Sequence, residues 1–446
     1  MSAVAGNTAA DTPFATWLTG IGDAPPGQGL DWLDAQRTSA LAQVRAKGLP
    51  TSKQEGWRYT AIKPLLDQAF VQAREPVTAL DPDDLEDLLV PGLDAHRVVL
   101  VNGRLVSSLS WSDGLPAGVR AQSLRSLLET DPDHLRGRLG RVAGEGAHVF
   151  AALNTAGMDD GFVLLVDAGC RLQRPIEVIH LSLGMDEPRL AQPRHLVDIA
   201  EGASATLIER YLSFGKPLYC TNSVMELSLA TGAELDHYRI QQESPKAFHL
   251  AGVYLSQGAG SRYHGVSLGL GAAWSRTDLV AGFTGQGAEC TLEGLYLAGD
   301  GQVMDFHLDV RHEVPGCISR EGFKGILFGK ARAVFDGRVL VARDAQKTDA
   351  QLSNRNLLLS RSAEVDTKPQ LEILADDVKC SHGTTVGQLD PLSLFYLRSR
   401  GIPPAQARRM LCEGFAGEVL DGLGPVPLRE HVAALVGQRL EQASLD

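Results

Sequence analysis

From about residue 160 to about 375 apolar and polar residues alternate with a period of two, a spacing that builds half-buried strands and gives no helix an apolar face. In Val303-Met-Asp-Phe-His-Leu-Asp-Val310, Met304, Phe306, Leu308 and Val310 alternate with Asp305, His307 and Asp309. Val266, Leu268 and Leu270 alternate with Ser267 and Gly269, and Met225, Leu227 and Leu229 with Glu226 and Ser228. Gly-Ala pairs recur between such runs, at 202, 232, 258, 271 and 287, with intervals of 30, 26, 13 and 16 residues. The intervals read as one or two copies of a unit near 14. A strand–turn unit that buries a face by stacking on its neighbours predicts a β-solenoid. An ordinary sandwich with Gly-rich turns is the alternative the same pattern allows.

Both flanks change period. A helix is expected over about 31–47, where Leu33, Ala40, Leu41 and Val44 recur at helical spacing and Gly48 ends the run. Asp81-Pro-Asp-Asp reads as an N-cap with an acidic first turn. Residues 97–106 read as a hairpin turned at Asn102-Gly103, and residues 120–140 as helical. After Gly387, Asp390-Pro391 starts a helix that Gly401 ends, a second follows Pro403-Pro404, and a third spans about 427–443. The expected organisation is a mainly helical region over 1–150, a β core over 151–387 and a helical domain over 388–446.

The balance of 42 basic against 54 acidic residues, formally −12, argues against a nucleic-acid or anionic-membrane partner. Six cysteines are too sparse for a disulfide framework. Residues 1–36 hold no Lys or Arg, so no secretory signal is expected, and no run approaches a membrane span. A cytoplasmic protein with reduced thiols is the expectation.

Metal chemistry centres on Cys380 and His382. Two positions apart on a strand, they share a face and can meet one ion. No C-x-x-C occurs, so further ligands must come from distant residues or another subunit. Cys380 as a small core residue and His382 as a turn residue are the bland readings. Asp376 and Asp377 read as solvated turn residues before they read as ligands. His307 and His312 read as exposed side chains on a sheet face before they read as a metal pair. Gly322 to Ala331 fails as a phosphate loop, since its glycine spacing is wrong and Ala331 stands where a hydroxyl would hold Mg²⁺. No G-x-S-x-G or H-E-x-x-H occurs, so no enzymatic activity is expected.

The run Ala363-Glu-Val-Asp-Thr-Lys-Pro-Gln-Leu-Glu-Ile-Leu-Ala-Asp-Asp-Val-Lys-Cys-Ser-His-Gly-Thr-Thr-Val-Gly387 resembles the signature of the SufB/SufD family of iron–sulfur cluster assembly proteins. Gly329-Lys-Ala-Arg-Ala-Val-Phe-Asp-Gly337, Lys347-Thr-Asp349 and Phe395-Tyr-Leu-Arg-Ser-Arg-Gly-Ile402 extend the match. Pro50-Thr-Ser-Lys-Gln-Glu-Gly-Trp-Arg-Tyr-Thr60 is similar to the entry motif of the SufD branch. The resemblance implies a right-handed parallel β-helix core with helical ends, in a scaffold subunit of the SUF assembly complex. It implies SufB as a partner across the β-helix edge and docking of the ATPase SufC on the C-terminal helices, with a homodimer open to the isolated chain. It also implies that His382 faces a cysteine of SufB, so that a transient cluster or iron is shared between chains and none is held stably by one alone. Cys380 carries over as a second ligand or as support for the fold. A SufB-type paralogue, a purely structural partner and a stand-alone carbohydrate-active β-helix are the competing readings.

Overall fold

The computed structural model describes residues 13–74, 80–111, 114–144 and 148–443. Its centre is a parallel β-solenoid of about eight turns, in which successive strands alternate between two sheets. One sheet runs from Phe162–Val166 through Arg194–Ile199, Tyr219–Leu229, Phe248–Gln257, Trp274–Phe283, Val303–His312 and Arg332–Val341 to Glu364–Ile373. The other runs from His96–Val101 through Ile176–Ser182, Ser204–Ser213, Glu234–Gln241, Arg262–Gly269, Glu289–Ala298, Ile318–Leu327 and Asp349–Leu358 to Lys379–Gly387. Each coil contributes one strand to each sheet. From Phe162 onward the register steps range from 26 residues, Phe248 onto Trp274, to 33, Val163 onto Leu196. The unit near 14 read from the turns is therefore half a coil.

The solenoid interior is one apolar cluster that includes Leu207, Leu235, Leu292, Phe306, Phe323 and Phe335. The outer faces are covered as well. Trp17, Trp57, Phe70 and Phe150 from the N-terminal region pack on Leu250 and Trp274 of the first sheet. The C-terminal helices Pro404–Leu420 and Val426–Gln442 lay Ala416, Val419, Val432 and Val436 against Ile240, Val266, Leu295 and Ile326 of the second. Parallel strands covered on both faces bury nearly every residue, as Tyr219–Leu229 does.

Local chemistry sets the ends of the elements. The helix Asp31–Lys47 has the expected bounds. The hairpin forms between His96–Val101 and Arg104–Leu105, with φ of 48° at Asn102 and 86° at Gly103 as a type I′ turn needs. Asp390 caps the helix Pro391–Ser399 by accepting the N–H groups of Leu392 and Ser393. Residues 120–140 depart from the expected helix. Val119–Ser123 is an antiparallel edge strand on Phe162–Val166. The helix starts only where the Ser123 hydroxyl caps Ser126, and it stops at Thr130 before Pro132. No helix among the described residues is long and apolar enough to cross a membrane.

One polar contact at the rim of the C-terminal packing carries a pH signature. His264 lies between Asp236, 3.4 Å from Nδ1, and Glu293, 3.2 Å from Nε2. Those two carboxylates raise its pKa to about 9 against a smaller opposing effect of burial. Its folded-state value lies above its unfolded value. Its contribution to stability is therefore full below about pH 6.5 and is lost as the pH rises through about 9. The melting temperature of the native chain should fall more between pH 6.5 and 9.5 than that of His264→Asn. Parallel pH profiles would contradict the assignment.

Candidate functional site

The last coil has no successor among the described residues. Among the described residues Lys379–Gly387 pairs only with Asp349–Leu358, and Glu364–Ile373 only with Arg332–Val341, so both strands carry a free edge. Free edges expose unpaired N–H and C=O groups and invite another strand. In register, Cys380 lies on Ala350 and His382 on Leu352. Ala350 and Leu352 are interior residues, 0% and 2% exposed. Cys380 and His382 therefore continue two interior columns of the solenoid to its uncovered end.

Their environments differ. Cys380 is half-buried and packs against the core. Burial pushes its thiol pKa up, and the Asp349 and Glu321 carboxyls add to this against a backbone contact with Ala350. The resting side chain is thus a thiol, and metal binding would have to displace its proton. His382 is exposed, and its imidazole can offer a lone pair to a borderline metal. The pair meets the expectation of a shared face. Cys380 and His382 do not belong to any set of three converging His, Cys, Asp or Glu ligands among the described residues.

The other sequence candidates separate. Asp377 is tied to Lys347. His307 turns outward and pairs with Asp305 at 2.8 Å, facing a cleft of about 720 Å³ that is also lined by Glu55, Gly56, Arg141, Val142 and His148. His312 is buried, against the expectation of exposure, with Nε2 2.9 Å from the Ser319 hydroxyl. Five residues apart on one strand, the two histidines point to opposite faces.

Sequence reading missed a buried polar cluster inside the early coils. Ligand atoms of His180, His195 and Glu209 lie within 4.8 Å of one another. The hydrogen bonding argues against a metal there. The Phe162 N–H donates to His195 Nδ1 at 3.0 Å, which puts the ring proton on Nε2 and leaves that atom no lone pair. Burial holds His195 neutral, with a pKa of about 3. Burial alone would raise the Glu209 pKa, but Arg239, His180 and His237 outweigh it and hold the carboxylate well below its usual range. Its oxygens already accept the Tyr211 hydroxyl at 2.7 Å, His237 Nε2 at 2.7 Å and Arg239 Nε at 2.9 Å. The only signal in the sequence was phase, since Glu209 falls in step with Ala205, Leu207 and Tyr211.

Comparison with known families decides the relationship. Residues 182–415 match the family described as SUF system FeS cluster assembly, SufBD core domain, and residues 27–178 match the SufBD protein N-terminal region. The chain belongs to the SufBD family. It is 35% identical to the iron–sulfur cluster assembly protein SufD of Escherichia coli, over 91% of this chain and 92% of that one. A SufBD family iron–sulfur cluster assembly protein of Synechocystis is 35% identical over 91% of this chain and 90% of its own length. The chloroplastic protein ABCI7 of Arabidopsis thaliana is 29% identical over 90% and 85%. The core match spans the terminal coil, so Cys380 and His382 of this SufBD chain lie inside the family's shared domain.

Proposed function

We propose that this chain is a non-catalytic, cytoplasmic scaffold subunit of the SUF machinery that carries half of a nascent-cluster site at the open end of its solenoid. The observation that carries the reading is the pair of interior columns ending in Cys380 and His382 beside free strand edges. SufB pairs with this end, extends the sheets and supplies the remaining ligands. The iron and sulfide are cargo. Few ligands on each chain and an interface that can part allow the cluster to be released. His382 binds iron as a neutral imidazole, and Cys380 binds after its thiol proton passes to solvent.

The C-terminal helices are the docking surface for SufC. The helix Pro391–Ser399 buries no residue and leaves Leu392, Phe395 and Tyr396 exposed at 76%, 71% and 58%. Exposed aromatic and aliphatic side chains close together on one short helix suit a helix-in-groove contact. Deleting 388–446 would be a poor test, because it strips the cover from Ile240, Val266, Leu295 and Ile326. Leu392→Glu with Phe395→Glu changes only exposed positions and should leave the fold and SufB binding intact. Capture of SufC from a purified mixture should be lost. Undiminished capture of SufC by the double variant would contradict this docking surface.

A further inference from the structure

The loop that leads into Cys380 is held by a residue in a disfavoured conformation. Lys347 has a φ of 64°, in the left-handed region that residues with a Cβ adopt rarely. From that conformation its N–H donates to the Asp377 carbonyl at 2.7 Å. The Asp377 N–H donates to Gln346 Oε1 at 2.9 Å, and the Lys379 N–H to the Thr348 carbonyl at 2.8 Å. The Lys347 ammonium pairs with the Asp377 carboxylate. These contacts fasten the loop to the preceding coil three residues before Cys380.

The contacts are unequal. Lys347 and Asp377 side chains are 71% and 66% exposed, and an ion pair that open to water adds little. The backbone bond from Lys347 is the part that requires the left-handed turn. Strain of this kind persists only where the surrounding structure over-determines it, and it gathers at functional sites. The same corner recurs along the solenoid, where the N–H groups of Gly202, Gly232, Gly260 and Gly316 donate to the next coil from a φ of 62° to 73°, and Lys347 is the one among these that carries a Cβ. Among the described residues no coil stacks on the terminal strands from the far side, so at this corner the contacts from the coil below are the ones that fix where they lie.

We propose that Lys347 and Asp377 form a positioning clamp that fixes the placement at which Cys380 and His382 are presented to the partner subunit. The clamp rests on the split-site reading of this end. Asp377 then serves the site without touching the cluster, and the left-handed backbone of Lys347 matters more than its charge.

Lys347→Gly keeps the left-handed backbone and drops the charge. Lys347→Val disfavours that backbone, and Asp377→Asn keeps the backbone bond while weakening the ion pair. Hydrogen–deuterium exchange on the isolated full-length chain reads the clamp without any cluster. Lys347→Val should speed exchange of the Asp377 and Lys379 amides about tenfold, whereas the other two variants should stay within about threefold of the native chain. Lys347→Ala takes the place of Lys347→Val if that variant does not fold. Cluster yield in the reconstituted complex with SufB and SufC should follow the same order. Equal exchange in Lys347→Val and Lys347→Gly would overturn the clamp. Faster exchange with full cluster yield would overturn its link to the site. Failure of the split site itself would appear separately, as full yield from His382→Ala.

Discussion

His382→Ala should leave the complex with SufB and SufC assembled and cut its cluster yield by about tenfold or more, the scale on which metal sites respond to losing a ligand or its support. The side chain is exposed, so its removal uncovers almost no apolar surface. The strand it belongs to is held by a backbone ladder to Asp349–Leu358, which the substitution leaves alone. Fold and function are therefore separable at this position. Anaerobic reconstitution with iron and sulfide, with complex integrity followed by gel filtration, makes the measurement. Cys380→Ser behaves differently. Its thiol packs against the core, and a hydroxyl there should cost about 1 kcal/mol of stability, so its cluster yield must be read beside a melting curve. Full yield from an intact His382→Ala complex would remove the imidazole from the site.

Thr384→Pro should sharply weaken pairing with SufB while the isolated chain keeps its fold. The Lys379 N–H bonds to Thr348. In a parallel ladder the N–H groups of successive residues turn to opposite sides. The N–H groups of Cys380, His382, Thr384 and Val386 then face the free edge. Proline at 384 removes an edge donor and sets its ring in the path of an incoming strand, yet spares the bonds to Asp349–Leu358. Affinity for SufB, measured by titration calorimetry, should weaken by about a hundredfold, in keeping with the loss of a central interface contact. Circular dichroism of the variant should retain the native β signal. Native affinity in Thr384→Pro would place the partner on some other surface.

The solenoid was legible because two independent signals agreed. Alternation marked the strands, and the Gly-Ala pairs marked the corners. At Gly232 the glycine is needed for a φ of 65°, whereas at Gly271 a Cβ would stand 2.5 Å from the Glu243 backbone. One dipeptide thus answered two different demands, and for that reason it recurred irregularly and gave the half-coil in place of the coil. His312 was misread as exposed because alternation separates two faces without naming them, and in this fold both faces are covered. The same ambiguity hid Glu209 and His237, which pair with each other across 28 residues of sequence, from one coil to the next. Cys380 and His382 were legible as a same-face pair from spacing alone. That they end the interior columns at a free edge follows from the register, which no local pattern encodes.

The central claim is that His382 touches the cluster. Pulsed electron paramagnetic resonance on the reduced, reconstituted complex reads nitrogen nuclei bonded to cluster iron. The native complex should show a strong imidazole nitrogen coupling that disappears in His382→Ala and persists in His264→Asn. The same coupling in His382→Ala, or none in a native complex with a full cluster, would contradict it.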